Sequence, residues 1–184
     1  ANRDRVLRRV PLWARSEVVD GIFLTDVQSD DPRFELVARL GLPAVAINCP
    51  GRDGVATVDQ QHRPGLIALL HHLLDQGHRR IAHVSGPAGF VHSVEREATW
   101  RSVLTRAGLD PGPLVVGDFT SEGGVRAADR LLTVADPPTA VVCANDLTAI
   151  GFISRASALG FAVPSDLSVT GFDGIQLSGF TTPS

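Results

Sequence analysis

The chain has 184 residues, 43% hydrophobic and 20% charged, with a formal net charge of −3. This is the make-up of an ordinary globular protein with enough apolar residues to bury a core. It lacks the basic footprint of a nucleic-acid-binding domain, an uncharged run near the roughly 18 residues of a membrane span, and an apolar signal-peptide core in ANRDRVLRR. A cytoplasmic location is therefore expected. Methionine is absent, even at position 1, so a complete translated product is not expected. Cys49 and Cys143 each sit near the end of an apolar run, where cysteine usually packs as a small hydrophobe.

In chain order, Arg3, Arg5, Arg8 and Arg9 mark the solvated face of an amphipathic helix over residues 1–9, which Pro11 is expected to close. Residues 18–24 read as a turn feeding a buried strand that ends at Thr25-Asp26. Residues 32–40 have helical periodicity, with Phe34, Leu36, Val37 and Leu40 apolar and Gly41 as the stop. Residues 42–47 form a second buried strand ending at Asn48, and residues 55–58 are extended. A helix over 63–76 carries a wide apolar face of Leu66, Ile67, Leu69, Leu70, Leu73 and Leu74, and it stops at Gly77. Strands then follow at 81–85, 114–116, 139–143 and 167–170, separated by helices at 93–107, 124–132 and 147–159.

Continuous apolar strands alternating with helices predict a parallel sheet covered on both faces. From residue 55 onward, five strands and four helices predict a doubly wound α/β domain. The two strands and one helix before it rarely bury enough surface to stand alone. This first part is expected to be incomplete, leaving Ile22, Leu24, Val45 and Ile47 exposed or paired with other segments.

Two strands deliver polar side chains to one sheet edge. Residues 139–143 run into Asn145-Asp146, and residues 167–170 run into Gly171-Phe172-Asp173. In open α/β sheets, ligands bind outside the carboxyl ends of the strands. Asp146 is expected to cap the following helix or to orient the lobe. Motifs for chemistry are missing. The loop Gly86-Pro87-Ala88-Gly89 has neither the GxGxxG pattern nor a P-loop lysine, no GxSxG elbow occurs, and the six histidines have no zinc-like spacing. No catalytic residue, metal or cofactor is expected, and a doubly wound dehydrogenase would need a fingerprint this chain does not have.

An ordered set of phrases resembles one family. They are Val19-Asp20-Gly21-Ile22, Gly41-Leu42-Pro43-Ala44-Val45, Gly77-His78-Arg79-Arg80-Ile81-Ala82, Gly117-Asp118-Phe119, Pro138-Thr139-Ala140-Val141, Asn145-Asp146-Leu147-Thr148-Ala149-Ile150-Gly151 and Val163-Pro164-Ser165-Asp166-Leu167-Ser168-Val169-Thr170-Gly171-Phe172-Asp173. The set resembles the effector-binding region of LacI-type bacterial transcription regulators, which shares its fold with periplasmic sugar-binding proteins. The resemblance implies a two-lobed architecture holding a small molecule in the cleft between lobes. Residues 1–57 would be a partial amino-terminal lobe and residues 58–184 a nearly complete carboxyl-terminal lobe. It also implies that the helix-turn-helix domain, the hinge helix and the first strand-helix-strand are missing, and that the chain stops about where such proteins cross back to finish the first lobe.

The resemblance also selects site residues for a sugar-like effector, whose clustered hydroxyls call for carboxylates, amides, arginine and an aromatic platform. Arg96 opens Arg96-Glu97-Ala98-Thr99-Trp100, similar to the family's Arg-x-x-Gly-aromatic pattern with Thr99 in the glycine position. Asn145 and Asp173 match its polar contacts, and Phe119 its stacking aromatic. Thr25 and Asn48 match cleft-facing strand ends, Asn48 standing where the family often has aspartate, and Phe90 and His92 would close over the ligand. His78 matches a structural position. The implied protein is a homodimeric regulator that meets operator DNA only through the missing domain; a periplasmic sugar-binding protein of a transport system is the alternative.

Overall fold

The computed structural model describes residues 3–16, 19–52 and 54–184. Ala1 and Asn2 of the expected first helix, the side chains of Arg3 and Arg5, and Val18 of the expected turn lie outside the described residues. The elements are α1 (Arg3–Arg15), β1 (Ile22–Leu24), α2 (Arg33–Leu40), β2 (Ala44–Ile47), β3 (Ala56–Val58), α3 (Arg63–Asp75), β4 (Ile81–Ser85), α4 (Val91–Arg106), β5 (Leu114–Val116), α5 (Ser121–Leu132), β6 (Ala140–Cys143), α6 (Asp146–Ala158) and β7 (Ser168–Thr170), then a 3₁₀ turn at Gln176–Phe180. They form two compact units. The first ends at Gln61 and takes in Gly89–His92; the second is His62–Ala88 with Ser93–Ser184.

In the first unit β1, β2 and β3 form a parallel sheet in that order, with Phe23 opposite Val45 and Val45 opposite Ala56. Side chains alternate across a strand, so Leu24 and Ala46 enter a core with Val27, Phe34, Val37 and Cys49, while Phe23 on the other face is 72% exposed. The expected buried strand is therefore buried on one face only, because α2 covers just that side. Helix α2 ends as the sequence predicts, with Gly41 in the left-handed region at φ 63°.

Pro11 does not close α1, which runs through it to Arg15. Proline forfeits one backbone bond and crowds one carbonyl, but Val10 is buried and α1 packs on α2, so tertiary contact outweighs the local penalty. Arg8 and Arg9 are exposed, as expected. Residues 55–58 also do not open the second domain, because β3 pairs with β2 in the first sheet. Among the described residues the connection from β2 to β3 contains no helix, so the crossover signal that usually marks a parallel neighbour is missing from the sequence.

The second unit is a parallel sheet in the order β5-β4-β6-β7. β4 is buried along its whole length. From β4 and β6, Ile81, Ala140 and Val142 pack with Leu66 and Leu70 of α3 and Trp100 and Leu104 of α4. Ala82, Val84, Val141 and Cys143 pack with Ala127, Ala128 and Leu131 of α5 and Phe152 and Ala156 of α6. Helices thus cover both faces, as the doubly wound pattern predicts. Both cysteines are buried and free, and burial raises both thiols from their ordinary value, which fits a packing role.

α5 begins earlier than its apolar pattern suggests because Thr120 caps it, its hydroxyl accepting the Gly123 N–H at 2.9 Å. Gly123 and Gly124 then lie inside the helix. A Cβ on Gly124 would fall 2.1 Å from the Thr148 carbonyl oxygen of α6, and one on Gly151 of α6 would fall 1.9 Å from the Ser121 carbonyl oxygen of α5. These glycines face each other across the helix pair and let the two backbones touch.

At the amino-terminal edge, His78 joins two strands through hydrogen bonds between Nδ1 and Thr139 Oγ1 (3.0 Å) and between Nε2 and Ser168 Oγ (2.9 Å). Burial, then the nearby His72, lowers its pKa. This structural role agrees with the sequence reading, which assigned it no chemistry.

Candidate functional site

The order β5-β4-β6-β7 places the switch point between β4 and β6, whose outgoing connections lead to opposite sides of the sheet. A crevice forms outside the carboxyl ends at such a point. Gly86 follows β4, Asn145 follows β6, Gly171–Asp173 follow β7 and Gly117–Phe119 follow β5. Helix α4 brings Arg96 to the same edge.

Arg96 is 8% exposed. One terminal nitrogen donates to the Ala144 carbonyl, and the guanidinium carbon stands 4.0 Å above the centre of the Phe172 ring. This cation–π contact fixes the plane of the fork. Nε is buried without a hydrogen-bond partner. Burial lowers the Arg96 pKa from its ordinary value, and the negative charges of Asp173 and Glu95 oppose that. Asp173 is exposed as a residue, but partial burial pushes its carboxyl upward, Arg96 pulls it back, and Asp146 adds to the rise. Asp173 also sits at φ 105°, a strained backbone for an L residue.

Asn145 is where the sequence placed it, with both side-chain ends engaged. Its Oδ1 accepts the Thr148 N–H at 3.0 Å, which makes it the cap of α6, and its Nδ2 donates to the Phe119 carbonyl at 3.0 Å. The expected cap, Asp146, is one residue too late. Its carboxylate instead accepts the Ile175 N–H at 2.8 Å, because Asn145 has the extended backbone a cap requires while Asp146 is already helical.

Phe119 holds φ 64° between two braces. Asp118 Oδ1 accepts the Thr120 N–H and hydroxyl at 3.1 and 2.6 Å, and Arg126 pairs with Asp118 Oδ2. The Phe119 ring lies against Gly86, where a Cβ would come within 2.0 Å of it. Ser93 Oγ, 2.4 Å from the same Cβ position, is buried and unpartnered.

Residues that the sequence reading did not select also reach this edge. His62, nearly fully buried, meets Glu95 Oε2 through Nε2 at 3.0 Å and meets the Phe172 ring edge-on at 6.1 Å between centroids. Its Nδ1 has no hydrogen-bond partner, and neither has Thr170 Oγ1 at the end of β7. His62 precedes α3 with no motif around it, so nothing in the sequence signals it. Phe172 could have been found, since it stands inside the quoted Gly-Phe-Asp phrase.

The structure brings Arg96 beside Asp173 and Asn145 beside Phe119, all in the second unit. The other four candidates belong to the first unit. Thr25 is exposed and its carbonyl accepts from Arg33 at 2.8 Å; Asn48, at φ 55°, accepts the Gln60 N–H at 3.0 Å. Phe90 pairs with Gln28 in a short bridge, and its ring lies 5.7 Å from that of His92. A cavity of about 460 Å³ lies elsewhere in the second unit, between α3 and α4, lined by Arg63, Ile67, His71, Leu74, Val103 and Arg106 among others. None of the candidate residues lines it.

Residues 70–184 match the family described as periplasmic binding protein-like domain. The chain is 40% identical over 116 residues to the HTH-type transcriptional repressor CytR of Escherichia coli K12, which covers 62% of this chain and 34% of that protein. A transcriptional regulator of LacI family from Burkhoderia phymatum superposes with a TM-score of 0.87 at 30% identity, over 100% of this chain and 67% of that one. The structure of a CelR–cellobiose complex superposes with a TM-score of 0.86 at 32% identity, over 96% and 56%. The chain thus spans about a third of the length of the curated CytR relative.

Proposed function

Because the chain belongs to the periplasmic binding protein-like family, in its LacI-type regulator branch, we propose that it is the effector-binding and dimerisation region of a transcription regulator that takes a sugar-like molecule at the carboxyl edge of the second sheet. One observation carries the site. Ser93 Oγ, Arg96 Nε, His62 Nδ1 and Thr170 Oγ1 are buried without partners around this single edge. Unpaired buried polar groups are costly and rare, and a ligand with several hydroxyls, each both donor and acceptor, suits such a set. The cellobiose held by CelR supports the sugar class.

In this reading Arg96 offers Nε and its fork to hydroxyls or a carboxylate, Asp173 accepts from hydroxyls, and the Phe119 ring packs on the apolar face of the sugar. Asn145 contributes through whatever capacity its cap and its bond to Phe119 leave. Thr25, Asn48, Phe90 and His92 are proposed as further contacts on the resemblance to the family alone. The effector acts by population shift, which requires different affinities for two conformations. Operator contact belongs to a helix-turn-helix part like the one for which the CytR relative is named. A cytoplasmic homodimer is the form this regulator reading implies.

A thermal-shift screen of the protein against mono- and disaccharides tests this, because ligand binding to the folded state raises Tm by mass action. A sugar-class shift is expected in the parent and is expected to vanish in Arg96→Ala and Asp173→Ala. A shift that survives both substitutions moves the site elsewhere.

A further inference from the structure

The Asp146 carboxylate, 7% exposed, is spent neither on the cap nor on a salt bridge. Its Oδ2 accepts the Ile175 N–H at 2.8 Å, and its own N–H donates to the Phe172 carbonyl at 2.9 Å. Its Oδ1 lies 2.2 Å from where a Cβ on Gly171 would stand, so a side chain there would push the carboxylate aside. One residue thus holds the loop after β7 at Phe172 through its backbone and at Ile175 through its carboxylate, which also packs close to Gly171. Between these points sit Phe172, whose ring sets the plane of Arg96, and Asp173 at its strained φ of 105°. Such a backbone persists only where its surroundings over-determine it. Glycines at 171 and 174 would give the loop wide conformational freedom without the hold.

We infer that Asp146 is a positioning residue for effector recognition: it keeps the loop at residues 171–175 in the one conformation that presents Asp173 and, through Phe172, aligns Arg96. The inference rests on the carboxyl-edge site proposed above. The bond to Ile175 is charge-assisted, stronger than a neutral one, and a carboxylate at the start of α6 is further favoured by the helix dipole. Apparent affinity scales with the fraction of molecules in the competent conformation, so a loop competent about a tenth of the time binds about tenfold more weakly.

The test uses Asp146→Ala and Asp146→Asn in the full chain, with two readouts. Without ligand, amide hydrogen exchange and ¹H–¹⁵N shifts of residues 171–175 report the hold. With cellobiose and a panel of mono- and disaccharides, titration reports affinity. Asp146→Ala should speed exchange at Ile175 and weaken sugar binding, each about tenfold or more. Asp146→Asn, which keeps an acceptor for the Ile175 N–H, should bring both back to within about threefold of the parent. Unchanged exchange at Ile175 in Asp146→Ala overturns the inference. So does a freed loop with undiminished sugar affinity, where Arg96→Ala abolishes binding. If the parent takes no sugar, the functional reading falls, and the exchange readout alone decides whether Asp146 holds the loop. Should Asp146→Ala fail to fold, Asp146→Glu displaces the carboxylate by one methylene and should perturb the same amides; unperturbed amides there refute the hold.

Discussion

Gly151→Ala should cost the second unit about 3 kcal/mol or more, an overpacking penalty at the top of the usual range. In an unconstrained helix the same change would stabilise by roughly 1 kcal/mol, because glycine is a poor helix former. Here the added methyl would stand 1.9 Å from the Ser121 carbonyl oxygen, a backbone atom that no rotamer change can move. Relief requires α5 and α6 to separate, and these helices carry Ala127, Ala128, Leu131, Phe152 and Ala156 of the core. Gly65 in α3 is the internal control, since a Cβ there meets nothing within 4 Å; Gly65→Ala should raise stability by roughly 0.5–1 kcal/mol. Urea unfolding of the two variants beside the parent reads both effects. A Gly151→Ala protein as stable as the parent would show that the helices do not meet through glycine.

Acid should destabilise the second unit through His83. Its ring is buried, with Nδ1 2.8 Å from the Val142 carbonyl, and lies 5.6 Å from the Trp100 ring. Burial, opposed in part by the Val142 bond and by Glu97, and reinforced by Arg96 and Arg101, lowers its pKa from 6.5 to about 4. The folded state therefore favours the neutral ring, and the unfolded chain takes up a proton first as the pH falls. The stabilising contribution is complete above pH 6.5 and is lost progressively toward the folded pKa of about 4. The loss by the acid end of that window is about 3 kcal/mol, because each tenfold difference in proton affinity between the two states is worth about 1.4 kcal/mol. His78 adds to the trend, since its pKa is also lowered. Denaturant midpoints across this window should fall for the parent and fall much less for His83→Phe, which cannot protonate. Equal slopes for the two proteins would mean that His83 is not held neutral in the core.

Most elements of the second unit were legible because each has its own local signal: apolar runs at β4 and β6, the leucine face of α3, and the left-handed glycines at 77, 108 and 160. What escaped the sequence depends on contacts distant in the chain. The exposure of Phe23 follows from which sheet face α2 covers, the passage of α1 through Pro11 follows from packing on α2, and the pairing of β3 with β2 lacks the crossover helix that periodicity detects. At the carboxyl edge of the second sheet, the positions of Asn145 and Asp173 at strand ends are readable from the sequence, and Arg96 stands in a segment similar to a family motif. Their division of labour is not readable there. Asn145 and Asp146 are adjacent and both suited to capping, and only their backbone conformations decide that Asn145 caps α6 while Asp146 reaches the loop after β7. His62 comes to Phe172 from far along the chain, and no neighbouring residue hints at it.

Titration of the protein with the sugar that gives the largest thermal shift, with the perturbed backbone amides mapped by NMR, locates the effector most directly. Saturable shifts are expected, centred on Ala144–Asp146, Gly171–Asp173 and Phe119, with Arg96 Nε moving in step. Shifts confined to the residues lining the cavity between α3 and α4 would place the effector there and not at the carboxyl edge of the sheet.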